Sequence, residues 1–280
     1  MNSKLIVSIV VLLILILCFM PNILQALGLH PKYKGKKYDL EGKRALIITT
    51  SHGILNAPGE TTGKPTGVYA SEMTVPYYEF TDAKMAVDIA SIQGGEIPIE
   101  KQSLNWFIRT KADKRFLKDS LFQNKVKHSM KIDHIDFTQY DVIFFAGGWG
   151  AAYDLGYSTI LGEKISDAYK DSPAIFGSVC HGALGFIQAK DSVGNALIEG
   201  RIMTGVTNKQ IKELKVTFTP MHPEEELIMA GADYKSNTAF MDLFANLTVI
   251  DSEKRFVTGQ NQNAGHEVAQ KIMGLLQSSH

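Results

Sequence analysis

The sequence predicts an α/β domain built on a mainly parallel, doubly wound sheet, preceded by an amino-terminal transmembrane helix. Three observations carry this. Strand-like apolar runs alternate with segments whose apolar residues fall at helical spacing. The runs ending near Ala146 and Val179 stop at a glycine loop and at a cysteine, as ligand-facing strand ends do. The stretch from Leu5 to Leu27 is almost uninterruptedly apolar.

Between Leu5 and Met20 the only polar side chains are Ser8 and the weakly polar Cys18, and Ile23, Leu24, Ala26 and Leu27 extend the run past Pro21 and Asn22. As a helix, Leu5 to Leu27 spans roughly 34 Å at about 1.5 Å per residue, enough to cross a bilayer. Residues 1–30 therefore read as a membrane anchor or signal anchor. Leu24-Gln25-Ala26 is a poor cleavage site, which favours an uncleaved anchor. Leu17 stands before Cys18, where a lipoprotein site needs a small residue. Residues 31–42 form a lysine-rich linker with Lys32, Lys34, Lys36 and Lys37. The positive-inside bias puts that flank and the domain in the cytoplasm, yet a short basic start with Lys4 also precedes exported domains. The side of the membrane stays open.

The remaining chain, 43–280, is long enough for one α/β domain with a sizeable core. Arg44-Ala45-Leu46-Ile47-Ile48-Thr49-Thr50 is the first strand. Ser51 to Ala70, rich in Gly, Pro and Thr, is a long loop. Pro76 to Met85 reads as a helix opened by its proline, with Glu72 just before it. Val87 to Ala90 is the second strand. Gln102 to Asp136 is charged and reads as a cap insertion or a surface excursion. Tyr140 to Ala146 is a buried parallel strand that ends in Gly147-Gly148-Trp149-Gly150. Ile160 to Tyr169 is a helix, and the run from Ala174 is the strand that stops at Cys180. Leu247 to Ile250 and Arg255 to Thr258 form a short strand pair, and His266 to Leu276 a closing helix.

Composition excludes some partners. The chain has 280 residues, 21% charged, with a formal net charge of zero. It offers no basic face for nucleic acid, because the lysines between Lys111 and Lys131 alternate with Asp113, Asp119, Asp133 and others. Cys18 and Cys180 are the only cysteines, and one lies in the membrane segment, so an intradomain disulfide is impossible. The histidines show no metal-ligand spacing, and His222 reads as a loop residue.

Cys180 sits where a strand turns into a helix-like run. Such a turn presents its side chain to the crevice beyond the sheet, and unpaired N–H groups at a helix start favour thiolate over thiol. A buried core cysteine is the alternative reading. The small residues Gly147 and Gly148 let backbone N–H groups approach a ligand closely.

Five pieces in order, Glu72-Met73-Thr74-Val75-Pro76-Tyr77-Tyr78, Ala90 to Gly95, Tyr140 to Leu155, Val179-Cys180-His181-Gly182 and Thr258-Gly259-Gln260-Asn261, resemble the ThiJ/PfpI superfamily. That superfamily shares the core of class I glutamine amidotransferases, and the best-matching branch is glyoxalase III-like and heat-shock-chaperone-like. The resemblance implies a flavodoxin-like three-layer α/β/α sandwich, with family members commonly dimeric. It also implies a nucleophilic Cys180 with His181 and Glu72, an oxyanion or substrate loop at Gly147, Gly148 and Trp149, and no metal or organic cofactor. The implied substrate is a 2-oxoaldehyde such as methylglyoxal. The thiolate attacks its aldehyde carbon, Gly148 and His181 N–H groups stabilise the hemithioacetal oxygen, Glu72 moves a proton through an enediol, and thioester hydrolysis gives lactate. A related deglycase activity belongs to the same reading.

The sequence departs from this pattern in places. Ile211 stands where the branch has a carboxylate that orients the histidine, and Glu213 is rotated from that place by roughly 200° on a helix. Trp149 replaces a histidine and Ala183 a proline. Besides the glyoxalase or deglycase, a redox sensor or holdase chaperone in which Cys180 oxidises beside Glu72 fits the same residues. A cysteine amidohydrolase or peptidase requires an acid aligned with His181.

Overall fold

The computed structural model describes residues 3–278 of the chain. A sheet of seven strands forms its centre: β1 (Arg44–Thr49), β2 (Ala86–Ser91), β3 (Met130–Lys131), β4 (Val142–Phe145), β5 (Ile175–Val179), β6 (Thr248–Ile250) and β7 (Phe256–Gly259). Their spatial order is β6-β7-β5-β4-β1-β2-β3, and every neighbouring pair is parallel except β6 with β7. From β1 the chain runs to β2 on one side, and β4 then pairs with β1 on the other. The strand order thus reverses at β1 and β4, where the carboxyl ends of the strands open a crevice.

Strand periodicity builds three layers. Ala45, Ile47, Val142 and Phe144 point into one core with Phe80 and Ile272, whereas Leu46, Ile48, Ile143 and Phe145 point into the other with Leu161 and Ile165. Helices α2 (Ala70–Asp82) and α4 (Gly265–Ser278) cover the first face, and α3 (Thr159–Asp171) the second. This is a three-layer α/β fold with a mostly parallel sheet.

Three local expectations need correction or refinement. Helix α2 begins at Ala70, after the extended Tyr69, and not at Pro76, which lies inside it. There Pro76 supplies no N–H to the Glu72 carbonyl, four residues back, and its ring crowds that carbonyl. Glu72 therefore sits in the first turn, at the positive end of the helix. The loop before α2 contains a small hairpin, Ile54–Leu55 against Lys64–Pro65. The segment 102–136 folds into two short helices, Lys111–Phe116 and Ser120–Lys127, followed by the edge strand β3. Its Phe122 ring stacks on Tyr77 of α2 at 3.5 Å between centroids, and Phe116 packs edge-on to Phe122. This segment joins the outer helical layer.

Most of the amino-terminal helix α1 (Ser3–Ala26) stands apart, exposed from Lys4 to Phe19, and only its foot approaches the domain. It is long and apolar enough to cross a membrane. The chain that follows is strapped to the domain. Gly28 (φ 112°) lies where a Cβ would stand 2.8 Å from the Phe244 carbonyl oxygen, Leu29 is buried, His30 N–H donates to Asn263 Oδ1 at 2.8 Å, and Lys36 N–H to Gln270 Oε1 at 3.0 Å.

Candidate active site

The ends of β4 and β5 meet the first turn of α2 in the crevice. Cys180 follows β5 directly with φ 58°, in the left-handed region that residues with a Cβ rarely adopt, after the extended Val179. The reversal leaves the next residues lying on the end of β4: a Cβ at Gly182 would stand 2.2 Å from the Phe145 carbonyl oxygen. Gly147 is equally confined, since a Cβ there would lie 2.6 Å from Glu72 Oε2 and 2.7 Å from the backbone nitrogens of His181 and Gly182. Glycine at these two places allows the cysteine turn, the glycine loop and the carboxyl to share one small space.

Glu72 is 1% exposed. Burial raises its carboxyl to about 8, although the Cys180 thiol and the Gly147 N–H both favour the charged form. Oε2 makes no hydrogen bond of ordinary geometry among the described residues. Burial also pushes the Cys180 thiol well above its ordinary value, and the Glu72 charge pushes in the same direction, while the N–H groups of His181 and Gly148 pull the other way. The expectation of a thiolate favoured by a helix start is therefore corrected. The residues from Cys180 to Phe186 form a 3₁₀ run rather than an α-helix, and desolvation outweighs the two N–H groups. Near neutral pH the carboxyl tends to keep its proton, and the first proton the pair loses leaves the charge on Glu72, beside the thiol.

His181 lies beside the sulfur, its Nδ1 3.5 Å from Sγ, and its ring centroid is 5.0 Å from that of Trp149. Burial, and then the nearby His222, hold the imidazole neutral down to about 3. Its Nε2 has no hydrogen-bond partner among the described residues. Ile211 is fully buried and packs with Cys180, Val206 and Trp149. Glu213 turns away, accepting a hydrogen bond from the Asp242 N–H at 2.8 Å and facing Lys209. The imidazole is therefore uncharged at neutral pH, and neither Ile211 nor Glu213 supplies it with a carboxylate. No group of three or more His, Cys, Asp or Glu side chains suited to a metal ion occurs among the described residues.

The sequence reading placed Cys180, His181, Glu72, Gly147, Gly148 and Trp149 at this site, and the fold brings all six together. It missed Tyr69, whose hydroxyl is held protonated by burial and by the charges of Glu72 and Cys180. Its place before the helix that carries Glu72 is the only signal in the sequence. Tyr234 was missed too; its hydroxyl donates to the Gly205 carbonyl at 2.9 Å, and the Cys180 charge reaches it from a distant segment. His222 lies in the loop just before the helix Pro223–Met229, as expected, and is close enough to act on His181.

A strand-to-turn cysteine facing a buried acid across a glycine loop invites comparison with known proteins. The profile of the DJ-1/PfpI family matches residues 65–274, which include every residue of the site. The chain belongs to the DJ-1/PfpI family. Among curated DJ-1/PfpI-type relatives, the glutathione-independent glyoxalase hsp3101 of Schizosaccharomyces pombe is 26% identical over 250 residues, covering 85% of this chain and 97% of its own. Glyoxalase 3 of Candida albicans is 26% identical over 236 residues, with 82% and 97% covered. Among solved structures, Rapid Encystment Protein 24 KDa of Francisella tularensis superposes with a TM-score of 0.75 at 31% identity, covering 84% of this chain and 99% of that one. Glyoxalase III of Candida albicans has the same fold, with a TM-score of 0.71 at 23% identity and coverage of 83% and 96%.

Proposed function

We propose that the protein is a glutathione-independent glyoxalase-type enzyme acting on small 2-oxoaldehydes such as methylglyoxal, with Cys180 as nucleophile. One observation carries this: the Cys180 thiol and the Glu72 carboxyl are buried against each other, with the N–H groups of His181 and Gly148 directed at the sulfur. The names of the two glyoxalase relatives support the substrate class.

In this reading the ionised pair supplies the attacking sulfur, with the proton of the thiol passing to Glu72. The sulfur adds to the aldehyde carbon, and the resulting alkoxide, close to the Gly148 and His181 N–H groups, takes the proton held by Glu72 to become the hemithioacetal hydroxyl, leaving Glu72 a carboxylate. Glu72 as carboxylate takes the proton from that carbon and returns it to the neighbouring carbon through an enediol, which converts the adduct to a thioester of a 2-hydroxy acid. Water then cleaves the carbon–sulfur bond, releasing lactate from methylglyoxal and restoring the thiol. A carboxyl poised at about 8 suits both halves of the transfer, because it gives and takes a proton near neutrality. Tyr69, whose hydroxyl feels the charges of Glu72 and Cys180, is the donor we assign to the second oxygen of the substrate. We also propose that α1 remains attached and anchors the enzyme in a membrane, on its length and exposed apolar surface.

The test is lactate formation from methylglyoxal by the full-length protein beside Cys180→Ser and Glu72→Gln. Loss in both variants supports the reading; equal turnover in all three overturns it.

A further inference from the structure

We propose that the cavity between the foot of α1 and the domain binds the phosphate of an anionic phospholipid headgroup. The inference rests on the reading of α1 as a membrane anchor. The cavity has a volume of about 510 Å³ and takes its walls from the end of α1, the strap after it, α2, and the segment 107–115. Helix α1, with 24 residues, is about 36 Å long, some 6 Å more than the hydrocarbon core of a bilayer. Its last turn therefore reaches headgroup depth, and there its apolar run gives way to Asn22 and Gln25, both of which line the cavity.

The lining is cationic. Five lysine and arginine side chains face two carboxylates, Glu79 and Asp82. Asp82 is taken by Arg115 at 2.7 Å and Glu79 by His266 at 3.1 Å. That leaves Lys32, Arg109, Lys111 and Lys114 with no ion pair recorded among the described residues. Arg109 Nε is buried yet makes no hydrogen bond among them. A buried guanidinium N–H without an acceptor is costly, and a phosphate oxygen would supply one. Trp106, 48% exposed beside Phe107, and Tyr33, 39% exposed, are of the residue types that settle at the membrane interface. Cations at headgroup height meet the anionic leaflet, and each contributes about 1 kcal/mol of attraction, roughly a fivefold gain in binding.

Full-length protein in a neutral detergent, stripped of lipid, is offered dioleoylphosphatidylglycerol, dioleoylphosphatidylcholine or inorganic phosphate, and bound lipid is counted by native mass spectrometry. We expect phosphatidylglycerol to be retained at least about tenfold over phosphatidylcholine, and the Arg109→Gln/Lys114→Gln double variant to lose most of that preference while melting normally. The pair Lys170→Gln/Lys190→Gln, outside the cavity, should keep it. Equal retention of both lipids, or a preference untouched by the first double variant, overturns the site. Phosphate that binds and blocks the cavity without any lipid preference overturns the lipid as occupant and assigns the site to a soluble anion. Alkaline extraction of membranes carrying the same protein tests α1 separately: release into the supernatant sinks the anchor reading whatever the lipid count.

Discussion

Gly147 lies so close to Glu72 that a Cβ on it would stand 2.6 Å from the carboxyl Oε2, closer than real Cβ atoms approach. The same Cβ would press on the backbone nitrogens of His181 and Gly182. Gly147→Ala should therefore misplace the acid and the nucleophile turn together. A shift of about 1 Å at a reacting group costs on the order of a hundredfold in rate. Steady-state turnover of methylglyoxal should fall by that order while circular dichroism stays native; an unimpaired alanine variant would show that the acid is not held where it is needed.

The shared proton of Glu72 and Cys180 should be visible in the pH dependence. With the carboxyl at about 8, kcat/KM rises as pH passes through that value, because the attacking form requires one proton to leave the pair. Alkylation of Cys180 by iodoacetamide should follow the same limb. In Glu72→Gln the group near 8 is gone while burial, the largest influence on the thiol, remains, so the limb near 8 disappears and alkylation moves to higher pH, as turnover drops about a hundredfold or more.

Stability should respond to the same group with a definite sign. The folded carboxyl binds its proton more tightly than the unfolded one, whose ordinary value is 4.5, so the fold loses stability as pH climbs from about 4.5 through about 8. Glu72→Gln removes this penalty. Urea melts of the variant should show a gain over the native chain at pH 8 that shrinks towards pH 5. His181 works in the opposite sense over a lower window. Its stability contribution is present above 6.5 and is lost as pH falls towards 3, because the unfolded imidazole takes up the proton first.

Ile211 packs on Cys180, the residue before the histidine. Ile211→Ala should cost about 2–5 kcal/mol in a chemical melt, as for other fully buried isoleucines. Ile211→Glu should raise the His181 value, read by NMR of the imidazole, since it places a carboxylate in the wall now shared by Cys180, Val206 and Trp149. An unmoved imidazole would mean that His181 and residue 211 do not communicate.

The sequence made the strands and the cysteine turn legible because those signals are local. Apolar runs of β-branched and aromatic residues mark β1, β4 and β5, and the cysteine at the end of β5 follows from its place in the run. The meeting of Glu72 with Cys180 was implied only by resemblance, since more than a hundred residues separate them and no periodicity reports a contact of that range. Pro76 misdirected the start of α2, because proline favours a first turn and the compensating interior placement depends on packing. Tyr69 and Tyr234 approach the thiol through tertiary folding alone. The segment 102–136 looked detachable from its charge, yet Phe116, Phe122 and Val126 hide in the core under that charged surface.

Cys180 keeps a backbone conformation that nature usually leaves to glycine, fastened between the last rung of β5 and the carbonyl end of β4. The reactivity proposed for Cys180 is thus tied to an intact central sheet rather than to a mobile loop. Loosening the strand ends would silence the thiol while much of the helical signal survives, so catalytic turnover should report early damage that spectroscopy of the backbone overlooks.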